Sequence, residues 1–468
     1  MTGSIRSGIL LAVAGALTVP SVEAQIRKKA AASNNERCRL QLVTAERQGV
    51  QTTPTPGVQH FFVGGNVHVQ CAGRNIHIYS DSMASFGGTI IQFISQGNRV
   101  KYRDSTTNLD ADFGTYLKDG ERFEAQGNVV HQDLKSGSTI TGARIDYLRP
   151  VKGIRTELEV VAYSRPTVAY MVKDSVGRAQ APYVIVGNTV RTLGSDVIYA
   201  GGAVTIDREA LKGSADSLWL DSGKKQAGQL IGKASLRNHT DTTTATQGFT
   251  LTGRVIDIGM TERELSSVKA RDSAKLLSSD VNLDADSIQI RLKLRQAEQT
   301  MAWGKTVRPK AVSTDYQVLG DSLLVETPNQ KLSKVIAYGH GWAGLSGDTA
   351  AGARRDWIGG DQVTVTFIER SAGGVNKLVV QRLEADRQAR SFYQVAPERG
   401  QTKGSMNYTR ADRILVTMRI TQDSNTVQQV DAFGAVDGVH LQPAAARRRD
   451  TTQVRIRPDT TPAQRPPR

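Results

Sequence analysis

The feature that most constrains this chain is a short unit that keeps returning. Its clearest copy runs from Leu109 to Tyr147. The segment Leu109-Asp110-Ala111-Asp112-Phe113 leads to a polar turn, Lys118-Asp119-Gly120. A second segment, Phe123-Glu124-Ala125-Gln126-Gly127-Asn128-Val129-Val130, passes through a Gly-Asn pair, and the first kind of segment then returns as Gly142-Ala143-Arg144-Ile145-Asp146-Tyr147. Two short strands with turn residues between them make one hairpin. A hairpin cannot bury its apolar face alone, so repeated copies must stack on their neighbours.

The opening half recurs at Ser214–Leu220, Thr252–Asp257, Asp284–Ile290, Gly320–Val325, Gly360–Val365 and Arg410–Val416. The closing half recurs at Ala162-Tyr163-Ser164, Ala270-Arg271-Asp272, Ala302-Trp303-Gly304, Ala337-Tyr338-Gly339, Ala385-Asp386-Arg387 and Ala432-Phe433-Gly434. From Asp216 the anchors step to Arg254, Asp286, Asp321, Asp361 and Asp412, at intervals of 38, 32, 35, 40 and 51 residues. That drift excludes a strict solenoid and fits hairpins with loops of variable length. The Gly-Asn pairs at Gly65, Gly97, Gly127 and Gly187 supply residues that tolerate positive φ at strand entrances.

The expected fold class is therefore all-β: an elongated β-jellyroll of stacked antiparallel hairpins, with little or no helix after the N-terminal leader. Strand alternation directs Val129, Ile145, Tyr147, Leu218, Leu220, Ile288, Ile290, Leu323, Val325, Val363, Val365, Phe367, Ile414 and Val416 toward one apolar interior. That interior is either a dry sandwich core or, if the sheets do not close, an apolar groove for acyl chains. Each methylene moved from water into such a groove gains about 0.8 kcal/mol.

Residues 1–24 read as a cleavable export signal. Arg6 gives the basic start, Ile9 to Val19 the apolar run, and Val22-Glu23-Ala24 the small residues a signal peptidase requires. Residues 25–57, with Lys28-Lys29, Pro54 and Pro56, read as a flexible lead-in, 58–240 as one β segment and 241–441 as another, divided at the Thr-rich stretch Thr240 to Thr246. Residues 442–468, with Arg447-Arg448-Arg449 and a Pro-rich end, read as a basic disordered tail. The strands near Gln59–Val63 and Val436–Leu441 are the expected sheet edges, open to pairing with another chain.

A formal charge of +15 favours polyanions. The export signal argues against nucleic acid, and part of the charge lies in the tail. The two cysteines, Cys38 and Cys71, either pair in an oxidising compartment or stay free. His68 and His77 flank Cys71, but no metal-binding spacing and no nucleotide, dinucleotide or nucleophile-elbow motif occurs in a fitting context. No cofactor and no catalysis are expected. The repeated Asp residues are better explained by turns and side-chain-to-backbone hydrogen bonds than by acid-base chemistry.

The run Leu109-Asp110-Ala111-Asp112 through Ala125-Gln126-Gly127-Asn128-Val129-Val130 to Ile145-Asp146-Tyr147 resembles the organic-solvent-tolerance family, the LptA/OstA-like periplasmic proteins of lipopolysaccharide transport. The likeness covers residues 58 to 221 and continues, weaker, to about residue 440. It implies a β-jellyroll whose apolar interior shields acyl chains of lipopolysaccharide or a similar glycolipid on the way to the outer membrane. It also implies a periplasmic location and joining to transport-bridge proteins, or to further copies, through edge strands. Family bridge proteins are usually shorter than this chain, and the outer-membrane member carries a far larger C-terminal barrel. The competing expectation is a structural or adhesive envelope repeat protein with a dry core. A carbohydrate-active β-solenoid enzyme would need a stricter period.

Overall fold

The computed structural model describes residues 38–172, 177–238, 248–262, 264–293, 296–313, 316–345, 356–372, 375–394, 404–420 and 425–442. Residues 1–24, read above as an export signal, residues 25–37, the Thr-rich stretch and the residues from 443 lie outside them. Among the described residues there are 30 strands, and the one helical element is a 3-10 turn at Pro328–Gln330. The all-β expectation holds. Chain contacts define two compact units, unit 1 from Met1–Ser279 with Ser287–Glu298, and unit 2 from Asp280–Asp286 with Gln299–Arg468.

In unit 1 each long strand serves two half-sheets. The strand Arg122–Asp133 pairs through its first half with Phe113–Leu117 and through its second half with Thr107–Ala111. Its successor Thr139–Leu148 pairs likewise with Glu159–Tyr163 at one end and Thr167–Tyr170 at the other. The division recurs as a register shift inside the antiparallel strands Val197–Arg208, Leu211–Asp221, Ala227–Asn238, Phe249–Thr261 and Glu264–Ser278. At each shift the strand turns a corner, and its two halves come to face each other. Tyr102 on one half-sheet meets Phe123 and Tyr147 on the other, each with ring centroids 5.2 Å apart.

Unit 2 is built the same way. Lys334–Leu345 pairs with Ser322–Glu326 before its corner and with Tyr316–Leu319 after it. Trp357–Ala372, Val375–Gln394 and Met406–Ile420 follow, each with a register shift or a change of partner part-way along.

The corners explain the repeat. At Gly127 (φ 78°) and Asn128 (φ 46°) two successive residues are left-handed, which glycine and asparagine tolerate best. Asp112, from the preceding unit half, closes over them. Its backbone N–H donates to the carbonyls of Gln126 and Gly127 at 3.1 and 3.0 Å, and its carboxylate accepts from the Asn128 amide at 2.8 Å. A Cβ on Gly127 would lie 2.5 Å from Asp112 Oδ2 and 2.8 Å from its Cβ. Asp216 lies over Gly232, Asp321 over Gly339 and Asp412 over Gly434 in the same way. Asp286 caps the corresponding bend by accepting from Lys305, Thr306 and Val307 N–H at 2.7, 2.8 and 2.9 Å. Those donors hold its carboxyl below the ordinary range. The Gly-Asn pairs at Gly65 and Gly127 therefore sit at corners inside strands rather than at strand entrances.

Three expectations need correction. Residues 40–52 of the presumed lead-in are ordered: Leu40–Thr44 and Arg47–Thr52 pair onto the two halves of Gln59–Cys71, and Cys38 is bonded to Cys71. Their strands are largely solvent-exposed, so the apolar signal that marks a core strand is missing. Gln59–Val63 is consequently covered on both sides, by Arg47–Thr52 and by His77–Phe86, and is no edge. Ala227–Asn238 and Phe249–Thr261 form one hairpin closing at Asn238 and Phe249, so the Thr-rich stretch joins paired strands. The chain passes between the units instead after Ser279, after Asp286 within the strand Asn282–Lys293, and after Glu298 within the strand Gln296–Trp303. Thr and Ser around a turn mark a loop, and a loop is not in itself a domain break.

The corner arrangement predicts a specific steric coupling. Gly127→Ala should cost about 2 kcal/mol or more in urea unfolding, against about 1 kcal/mol for Gly57→Ala, where φ is similar but no atom lies within 4 Å of the added Cβ. Asp112→Ala in the Gly127→Ala background should recover part of the loss, a non-additivity that a double-mutant cycle measures.

Candidate functional site: the interior between the half-sheets

All fourteen residues assigned inward by alternation are buried. Val129, Ile145, Tyr147, Leu218, Leu220, Ile288 and Ile290 lie in unit 1. Leu323, Val325, Val363, Val365, Phe367, Ile414 and Val416 lie in unit 2. The two interiors differ in how they are filled.

In unit 1, around residues 93–147, large side chains close the space. Phe93 meets Phe123 at 6.2 Å, Phe123 meets Tyr102, Tyr102 meets Tyr147, and Tyr147 meets His131 at 5.8 Å between ring centroids. The two tyrosine hydroxyls converge on one carboxylate, Tyr147 donating to Asp104 Oδ2 at 2.8 Å and Tyr102 at 3.2 Å. Burial raises the pKa of both hydroxyls, so they remain donors. A second buried carboxylate, Glu121, accepts from Cys38 N–H at 2.7 Å and from Arg74 at 3.0 and 3.2 Å, which fastens the N-terminal strands to the body. An apolar groove running the whole chain is thus not what the interior of unit 1 provides, and Tyr147 is a core anchor. The rings that fill it, Phe93, Tyr102 and Phe123, are of the size that closes a gap between half-sheets.

A small space of about 30 Å³ remains beside His131, bounded by Asp133, Ser138, Tyr170 and Ser195 among others. His131 is 3% exposed, and neither ring nitrogen has a hydrogen-bond partner among the described residues. The space is large enough for a single water.

In unit 2 the interior opens. One inward row runs Val325, Val335, Val365, Leu383, Val416 and Val430 from strand to strand, and the facing row runs Val318, Ala343, Ile358, Ser391 and Thr409. The second row carries small side chains at Ala343 and Ser391, on either side of Ile358. Between this row and the facing Leu383 and Val416 lies a cavity of about 610 Å³. Its apolar lining comes from Ala343, Ile358, Leu383, Val416, Met418 and Val430, with the rings of Tyr316, Trp357, Phe392 and Tyr393. Thr426, Gln428, Gln429, Gln394 and Asp356 give it a polar side. Of the fourteen assigned residues only Val416 lines it.

Two groups in this cavity were missed by the sequence reading. Ser391 is 2% exposed and its Oγ has no hydrogen-bond partner among the described residues. Asp356 accepts the Gln394 N–H at 2.9 Å, yet burial pushes its carboxyl above the ordinary range. The signal for Ser391 was present as a polar residue at an inward position, flanked two residues away by Ala389 and Tyr393.

The remaining chemical candidates are used structurally. Cys38 and Cys71 are joined, with Cα atoms 5.5 Å apart. His68 Nε2 lies 3.0 Å from His77 Nδ1, and His68 stacks on Tyr79 at 4.4 Å. Among the described residues no cluster of three or more His, Cys, Asp or Glu is placed to hold a metal. No protein-family model and no curated protein matches the chain.

His131 makes the fold acid-sensitive. Burial lowers its pKa from 6.5 to about 4. Below pH 6.5 the unfolded chain binds a proton that the folded chain refuses, so stability falls as pH drops from 6.5 toward 4. The loss should reach about 3 kcal/mol, by the scale of 1.36 kcal/mol per pKa unit. In chemical unfolding at pH 7, 5.5 and 4.5, a His131→Phe variant should lack this share of the acid slope.

Proposed function

We propose that this chain is a lipid-binding envelope module that shields acyl chains of lipopolysaccharide, or of a similar glycolipid, in the apolar interior of unit 2. The observation that carries the reading is the cavity of about 610 Å³ between two facing half-sheets, within the size range of ligand sites. Its lining of Leu383, Val416, Met418 and Val430 suits methylene groups, each worth about 0.8 kcal/mol on leaving water. Corners at an Ala-Asp strand and a Gly-Asn strand, as in the LptA/OstA-like family, add to that support, as does the leader-like sequence at residues 1–24. The role is binding and transfer within the periplasm, not catalysis, and requires no cofactor.

Partner proteins of a transport bridge, or further copies of the chain, would join at exposed strands. Asp437–Leu441 pairs with Met406–Arg410 and is exposed along its whole length, with Val439 and Leu441 each 55% exposed. At the other end of the sequence Arg47–Thr52 is exposed throughout, with Val50 outward. Strands of this kind offer backbone donors and acceptors to an added strand.

The filled interior of unit 1 favours a second reading, an envelope protein whose repeats serve as structure alone. The two are separated by photo-crosslinking in envelope-intact bacteria. A photoreactive residue at Val416 or Met418 should yield lipid adducts, while one at Ile145, buried in unit 1, should yield none. Adducts missing at all three positions would leave the structural reading in place.

A further inference from the structure

We infer that the cavity of unit 2 selects acyl chains carrying an ester or amide carbonyl, with Ser391 as the donor that recognises it, and turns away free fatty-acid carboxylates. This rests on the lipid-binding reading and names the polar group that the ligand must bring.

Ser391 stands where an apolar residue would be expected. Its cross-strand partners are Ile358 on one side and Thr409 on the other, and Ala343 follows Ile358 in the same row. The Ser391 hydroxyl is buried and has no partner among the described residues, although it borders open space. A buried hydroxyl left unpaired is costly, and its proton requires an acceptor. A carbonyl within an otherwise apolar ligand supplies one without bringing a charge.

A carboxylate would supply an acceptor too, but the surroundings oppose it. Among the described residues no Lys, Arg or His lines the cavity, so the described lining offers an anion no counter-charge. Asp356 adds an acidic group to the same wall, and burial already disfavours its own ionised form. Desolvating a second carboxylate beside it would be less favourable still. The chemistry left for a long apolar ligand is an uncharged acyl linkage. The hydrocarbon chain then lies against Leu383, Val416 and Met418, and the carbonyl oxygen accepts from Ser391 Oγ.

The test uses the full exported chain and three probes of equal chain length: dodecane, methyl dodecanoate and sodium dodecanoate. Each is scored at pH 8 by displacement of a fluorophore that brightens in apolar surroundings. The ester should bind at least tenfold more tightly than the carboxylate. Ser391→Ala should weaken the ester about five- to tenfold, the span of one hydrogen bond to a buried donor, and leave dodecane unchanged. Ser391→Thr, which keeps the hydroxyl, should retain the preference for the ester. Thermal melting of Ser391→Ala should match or exceed that of the parent, since the orphaned group is gone. Equal binding of the ester by parent and Ser391→Ala would overturn the inference and leave the lipid-binding reading intact. Failure of all three probes to displace the fluorophore from the parent would overturn both.

Discussion

The fold depends on a carboxylate laid over a glycine. Long strands change direction part-way, and Arg122–Asp133, Ala227–Asn238 and Lys334–Leu345 do so by placing successive residues in left-handed conformations at Gly127-Asn128, Gly232-Lys233 and Gly339-His340. Such a bend turns backbone groups away from the ladder. The Asp of the preceding strand restores their partners, and at Gly127 the absent Cβ makes room for it. Polar satisfaction and sterics thus act on the same two residues. Asp81 repeats the device by accepting from Gln96 N–H at 2.6 Å and the Asn98 amide at 3.1 Å, and those bonds hold its carboxyl below the ordinary range.

With the corner fixed, the separation of the half-sheets is filled or left open by side-chain volume. Tyr102, Tyr147, Phe93 and Phe123 meet between the half-sheets of unit 1 and fill the interior there. The small side chains of Ala343 and Ser391 border the cavity in unit 2. The same backbone device therefore supports a packed core and a cavity.

Much of this was legible in the sequence, because alternation is a direct consequence of strand geometry. The pairs Leu218/Leu220, Ile288/Ile290 and Val363/Val365 are two residues apart, and all six are buried. The turn role of the repeated Asp residues was legible as well. Their partners were not, since Asp112 and Gly127 belong to different strands and the register that brings them together is a property of the folded sheet. Leu40–Thr52 was missed because an exposed outer strand carries no buried face, and its order comes from pairing with Gln59–Cys71 and from the link between Cys38 and Cys71. The cavity was missed for the converse reason. It depends on side-chain volume missing at Ala343 and Ser391, whereas pattern reading weighs what is present.

The drifting interval between repeats follows from the same geometry. Each Asp-on-Gly contact is local to two neighbouring strands, so the residues beyond it can vary in number without disturbing the corner. Strands lengthen from 12 residues at Lys334–Leu345 to 16 at Trp357–Ala372 and 20 at Val375–Gln394, while the register on both sides of the corner is maintained. Added length extends the half-sheets away from the corner, where no cross-contact is needed to hold the bend. The cavity is lined by residues of these longest strands, including Trp357, Ile358, Leu383 and Ser391. Lengthening past the corner and shrinking the inward side chains act together: the first provides wall, the second provides space between the walls, and neither disturbs the hydrogen bonds on which the sheet relies.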